Sequence, residues 1–270
     1  MAKFPESAFG ACLTLVVLFF AFHPHGTTQV SAGSTARNPV VVELFTSEGC
    51  SSCPPADLLL QKLVREQPIA DAEIIALEEH VDYWNHDGWM DPYSSSVWTD
   101  RQQAYAAVFK DDAYTPEAVV NGRIQFVGNN RQKAEAEIKK AAGGLRTEVR
   151  ITALSADEKG SQRFHVSVDK LAENNERDVA EIWLAVTEDG LHSSVIRGEN
   201  AGRVLQHVAT LRSLRKIGIA DANDASVAFS GDALVKLSPG WNIENLHVAV
   251  FVQKRKSREI LGAASTRIKG

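Results

Sequence analysis

Two cysteines three residues apart, Cys50-Ser51-Ser52-Cys53, are the part of this 270-residue sequence best suited to chemistry. An apolar run at 40–45 precedes them and a helical pattern at 56–66 follows, so Cys50 falls at a helix N-terminus. There, unpaired backbone N–H groups and the positive end of the helix dipole stabilise a thiolate and lower its pKa. The second cysteine, inside the first turn, is close enough to attack a mixed disulfide and release what is bound. Pro54 and Pro55 fit that turn, whose N–H groups have no helical partner to lose. On this reading Cys50 is the nucleophile and Cys53 the resolving thiol. An inert staple is the weaker reading, because a bridge between residues so close constrains little of the unfolded chain. Glu48, two residues before Cys50, would oppose thiolate formation if it pointed at the sulfur.

Thr115-Pro116 is the second feature. An X-Pro bond adopts the cis form at small cost, and cis geometry here would expose a backbone edge to an extended substrate and keep bound metal from the thiols. Pro116 therefore joins the catalytic set, with Thr115, Trp84 and Trp89 as candidate substrate contacts. Residues 82–114 form an insertion rich in aromatic and polar groups, among them Asp82, Tyr83, Trp84, His86 and Trp89. The span from Cys50 to Pro116 is about thirty residues longer than a compact crossover and loop. Two readings of the insertion stay open: a wall beside the thiols, or a satellite aromatic core with His86 and Asp87 merely solvated.

Other chemistries find less support. His80 and His86 would complete a two-cysteine, two-histidine set for zinc or copper, but neither has a spacing that demands it, and no metal ligand or cofactor is expected. His192, His207 and His247 lie in or near β runs and read as packing residues. Residues 197–203 read as a connecting loop with its own hydrogen bonds. No Ser/His/Asp order, phosphate-cradling glycine loop or paired-carboxylate motif stands out.

The elements that must position the thiols follow from pattern. A nearly continuous apolar run at 40–45 predicts a buried strand, the period of Leu59, Leu60, Leu63 and Val64 a helix ended by Pro68, and Ile74-Ile75-Ala76-Leu77 a second buried strand. Strand, helix and strand in this order imply a right-handed parallel crossover. Residues 100–109 look helical, and Asn121-Gly122 between apolar runs at 117–120 and 123–127 predicts a hairpin. Residues 128–142 are helical in composition and stop at Gly143-Gly144, the expected boundary between an α/β domain at 38–143 and a β-rich domain at 144–270. In the latter, runs at 146–154, 163–168, 181–186, 204–211 and 246–251 predict a mainly antiparallel, sandwich-like arrangement.

Residues 1–32 carry the layout of a secretory signal peptide, with an uncleaved N-terminal anchor as the alternative: Lys3, an apolar run at 8–22 that is short for a membrane span, and the small-residue cleavage site Val30-Ser31-Ala32. Its removal takes Cys12 away and leaves Cys50 and Cys53 as a lone vicinal pair in a periplasmic or secreted protein. A formal charge of −5 argues against nucleic acid or anionic lipid as partner.

Several long motifs, taken together, resemble a known family. Phe45-Thr46-Ser47-Glu48-Gly49-Cys50-Ser51-Ser52-Cys53-Pro54-Pro55, His80-Val81-Asp82-Tyr83-Trp84, Gly88-Trp89-Met90-Asp91-Pro92, Tyr114-Thr115-Pro116-Glu117-Ala118-Val119-Val120-Asn121-Gly122 and Arg197-Gly198-Glu199-Asn200-Ala201-Gly202-Arg203 are similar to domain-of-unknown-function family 1223, exported bacterial proteins. More broadly, residues 40–143 resemble the thioredoxin superfamily. The resemblance implies a thioredoxin-like fold and export, without naming a reaction. The expected function is thiol–disulfide exchange with a protein or small-thiol substrate and a redox partner. The alternative is a non-enzymatic module that binds metal or protein through the same thiols.

Overall fold

The computed structural model describes residues 1–2, 37–144, 146–154, 160–171, 178–221 and 226–268. The expected leader, apart from its first two residues, and Cys12 lie outside the described residues. Thr35–Gly270 is one compact unit of mixed α/β structure, with three α-helices and a large, mostly antiparallel sheet among the described residues.

The first half alternates as its pattern predicts. Strand β1 (Asn38–Thr46) leads into α1 (Pro54–Glu66) and β2 (Ala72–His80), followed by α2 (Ser96–Phe109), the hairpin β3 (Glu117–Val120) and β4 (Ile124–Val127), and α3 (Arg131–Ala142). β1 and β2 pair in parallel, while β3 runs antiparallel to β1 and β4 to β3. Both faces of β1 are covered, which explains its nearly unbroken apolar run. Val40, Val42 and Leu44 meet α1 and α3 with Leu59, Leu60, Leu63 and Ile138, whereas Val41 packs with Ile75, Leu77, Trp98 and Phe251 on the opposite side. Asn121 and Gly122 have φ of 46° and 62°, as the hairpin signal requires. Glycine is needed at 122 for a second reason: a Cβ there would lie 1.9 Å from the Arg258 carbonyl oxygen.

The second half corrects the expectation of a separate sandwich. Its strands are β5 (Val149–Ala153), β6 (Ser161–Asp169), β7 (Ala180–Glu188), β8 (Leu191–Ser194), β9 (Val204–His207), β10 (Thr210–Ile219), β11 (Val227–Lys236), β12 (Leu246–Lys254) and β13 (Ile260–Arg267). Four of them extend the first sheet, in the order β13-β12-β7-β10-β2-β1-β3-β4, so the sheet continues past Gly143-Gly144. β11, β6 and β5 form a second sheet that packs Phe164, Val166, Val168 and Val235 against Ile182, Leu184, Val248 and Val250. The single run expected at 204–211 is two strands, broken at Val208 and Ala209, where Ala209 has a φ of 51°. Among the described residues, β8 and β9 pair only with each other, as a two-stranded ribbon.

Charged groups bury at the sheet centre and must be paired. Glu43 of β1 accepts from Arg101 Nε at 2.6 Å and from the Tyr105 hydroxyl at 2.5 Å. Arg101 also lies 3.4 Å from Glu79 and donates to Gln253 of β12 at 3.1 Å. Removing one member of a buried ion pair leaves its partner uncompensated, which costs about 3–5 kcal/mol. Arg101→Leu is therefore expected to lower unfolding stability by about that amount, read from denaturant midpoints, with Glu43 and Glu79 left without the guanidinium they contact.

Glu117 is buried at the start of β3, where Gln102 Nε2 donates to it at 2.7 Å. Burial, only partly offset by that amide and reinforced by Asp111 and Glu43, pushes its carboxyl from 4.5 up to about 7. The folded state thus holds a proton that the unfolded chain has released. Its contribution is full below pH 4.5 and is lost as pH rises to about 7. Glu117→Gln is expected to remove that loss, gaining on the order of 1–3 kcal/mol relative to wild type between acid and pH 8, measured by denaturation at the two pH values.

Candidate functional site

The turn after β1 delivers Cys50 and Cys53 to the N-terminus of α1, with Cys53 at the N-cap and Pro54 and Pro55 opening the helix. The two sulfurs form a disulfide across Cα atoms 5.5 Å apart. Cys50 is 1% exposed and Cys53 fully buried, whereas Ser51 and Ser52 between them face solvent. The Ser52 hydroxyl lies 3.3 Å from Cys50 Sγ.

A distant segment clasps this turn. Residues 197–203, read from sequence as a connecting loop, join β8 to β9 and reach the cysteines. Asn200 Nδ2 donates to the carbonyls of Glu48 and Cys50 at 2.9 and 3.0 Å, and the Ser51 N–H donates to Glu199 Oε2 at 3.1 Å. Asn200 is completely buried. The sequence signal was the polar, glycine-containing loop itself, but nothing local says what it touches.

The remaining candidates gather around the same turn. The Thr115-Pro116 bond is cis, and Trp84 Nε1 donates to Thr115 Oγ1 at 2.8 Å. Trp84 lies tight against the cysteine turn, since a Cβ on Gly49 would stand 3.0 Å from Trp84 Cβ. Trp89 Nε1 donates to Glu48 Oε2 at 2.8 Å. Both open readings of the insertion find a counterpart: Tyr83 and Trp84 pack on a small core of Phe45, Val81, Tyr105 and Val119, while the two indole N–H groups reach the segments beside the thiols. His86 is exposed, 3.3 Å from Asp87.

Behind the turn lies a buried polar cluster. β2 continues through Glu78-Glu79-His80, all fully buried, where the apolar pattern had ended at Leu77. Glu78 and His80, two residues apart, share the face toward α1. His207, read as packing, belongs here: its Nε2 lies 3.0 Å from Glu48 Oε1 and its Nδ1 3.4 Å from Glu78 Oε1. Glu48 is therefore committed to Trp89 and His207. His80 Nδ1 lies 2.7 Å from Asp91 Oδ2, which also accepts the Glu48 N–H at 2.8 Å.

The electrostatics follow from burial with close opposite charges. Burial, then the Glu78 charge, pushes Asp57 up to about 7, although Thr46 donates to it at 2.6 Å. Burial opposes the charge on Glu78, yet His207 and His80 hold it down at about 2. Burial likewise opposes the imidazolium forms, but Glu78 and Glu48 raise His207 to about 9, and Asp91 and Glu78 raise His80.

Among solved structures, the chain is similar to a structural-genomics crystal structure of an Agrobacterium tumefaciens protein, at 25% identity and a TM-score of 0.64, covering 86% of this chain and 96% of that one. It shares its fold with HBP35 of Porphyromonas gingivalis, at 17% identity and a TM-score of 0.59, over 86% of this chain and 76% of that one. No curated protein matches. Residues 41–253 match the family described as protein of unknown function (DUF1223), and the chain belongs to that family.

Proposed function

We propose that this protein is an exported thiol–disulfide oxidoreductase of thioredoxin-like fold, with Cys50 and Cys53 as its redox pair. The observation that carries the reading is the placement of the pair. It stands between a buried strand and a helix N-terminus, on a sheet whose local order is β2-β1-β3-β4, with a cis Thr115-Pro116 bond immediately before β3. Each part is common alone; the combination supports the superfamily resemblance of residues 40–143. Export rests on the leader-like residues 1–32, and an oxidising compartment suits a lone vicinal disulfide.

In the exchange, the Cys50 thiolate attacks a substrate disulfide, forming a mixed disulfide and expelling one substrate thiolate. Cys53, deprotonated, then attacks Cys50 Sγ. That closes the Cys50–Cys53 bond and releases the second substrate thiolate, so two electrons pass to the substrate. From the disulfide form the same steps run in reverse and oxidise a substrate dithiol. The poise of an external thiol–disulfide partner sets the direction. Thr115, set by its cis bond to the buried Pro116, presents the backbone edge, and Trp84 and Trp89 shape the approach, with the exposed Met90 and Ile196 on adjoining segments as apolar contacts.

Cys53→Ser is expected to accumulate a covalent mixed disulfide with substrate proteins, seen as thiol-sensitive adducts on a non-reducing gel, and Cys50→Ser to form none. Absence of adducts, or adducts that need only Cys53, would defeat the assignment. Because Asn200 helps cover Cys50, Asn200→Ala is expected to speed reduction of the disulfide by dithiothreitol severalfold, followed as free thiol released over time.

A further inference from the structure

We propose that Glu78, His80 and His207 form a binding site for one divalent transition cation of the zinc class, independent of the cysteines. Among the described residues, these three alone make a group of potential ligands whose donor atoms all lie within 4.8 Å of one another. All three side chains are fully buried.

The spacing fits an ion better than it fits direct pairing. His80 Nε2 stands 3.4 Å from Glu78 Oε2, and His207 Nδ1 3.4 Å from Glu78 Oε1. Charge-assisted hydrogen bonds are shorter, about 2.7–2.9 Å. Two ligands about 2.1 Å from a tetrahedral ion stand about 3.4 Å apart. His80 Nε2, buried and aimed into the group, has no hydrogen-bond partner, an unusual state for a buried nitrogen.

The outer contacts are short where the inner ones are long. His80 Nδ1 lies 2.7 Å from Asp91, His207 Nε2 lies 3.0 Å from Glu48, and Thr210 Oγ1 donates to Glu78 Oε2 at 2.9 Å. Each imidazole thus has its remaining nitrogen held by an outer carboxylate, and Glu78 is anchored by Thr210 through Oε2. A carboxylate on the remote nitrogen of a ligating imidazole orients the ring and raises its basicity. Three carboxylates, Glu78, Glu48 and Asp91, contact the two imidazoles, a buried polar group whose negative charge a bound cation offsets.

Ligand type completes the case. An open cavity of about 390 Å³, lined by Gln61, Arg65, His192 and Gln206, borders His207, whose side chain is itself fully buried. Two imidazole nitrogens and one carboxylate oxygen suit zinc and its first-row neighbours rather than magnesium or calcium, and three protein ligands leave a coordination position free. A bound ion would tie β2 to the β9–β10 segment and, through Glu48, to the Cys50 turn.

The test is equilibrium binding of Zn²⁺ to the untagged oxidised protein, whose thiols are locked in the disulfide, and to the Cys50→Ser/Cys53→Ser variant. One ion is expected to bind both with micromolar or tighter affinity, and Co²⁺ in its place should give visible d–d bands without a thiolate charge-transfer band. His207→Asn and Glu78→Gln should lose binding. If either fails to fold by far-UV circular dichroism, the outer variant Asp91→Asn should still weaken it about 10–100-fold. No stoichiometric binding to folded wild type, or binding lost with the cysteines but kept in His207→Asn, overturns the proposal. Neither result bears on mixed-disulfide trapping.

Discussion

Burying carboxylates at the centre of a sheet is possible only if counter-charges arrive from both faces, and this demand organises the molecule. Glu43 and Glu79 turn toward α2 and take Arg101, which is held in turn by Tyr105 and Gln253. Glu78 and Glu48 turn the other way and take His80 and His207. Arg101 comes from the insertion after β2 and His207 from the ribbon that ends at β9, so partners far apart in sequence stabilise two adjacent strands. Hydrophobic burial places β1 and β2; the charges decide which distant segments must close over them.

The sequence exposed the local half of this design and hid the rest. β1, α1, β2 and the hairpin were legible because continuous apolar runs, a 3.6-residue period and Asn121-Gly122 are local signals, written in neighbouring residues whatever distant segment they pack against. The cysteine turn and Thr115-Pro116 were legible for the same reason. Glu78-Glu79-His80 hid the end of β2, since three ionisable residues break an apolar pattern even where all are buried. His207 was hidden more deeply: one histidine in a short β run looks like packing until the partners at Glu48 and Glu78, more than a hundred residues earlier, are known. The shared sheet was hidden too, because alternation reports that a strand forms and not which strand it joins.

The cysteine turn is held unusually firmly for a loop. Its carbonyls are taken by Asn200, one of its amides by Glu199, and the preceding Glu48 by Asp91 through its N–H and by Trp89 and His207 through its carboxylate. Such positioning costs little adaptability, because the exposed Ser51 and Ser52 remain at the surface while the sulfurs lie beneath them. A chemical partner would meet a preorganised turn rather than one that orders on contact. The clasping loop is built by the half of the chain that has no cysteine, which gives that half a direct bearing on the thiols.

The short parallel contact between Thr210 of β10 and Glu78 of β2, with the Glu78 N–H donating to Ala209 at 2.9 Å, has a consequence for the portability of the fold. A chain ended after α3 would strip β2 of this neighbour and leave the end of the strand as a raw edge whose buried Glu78 has lost His207 and Thr210 and keeps only His80. Unprotected edges recruit other strands and lead to aggregation. The first 143 residues are thus no transferable cassette, and a chimaera that keeps only the cysteine half inherits a sticky margin in place of a partner.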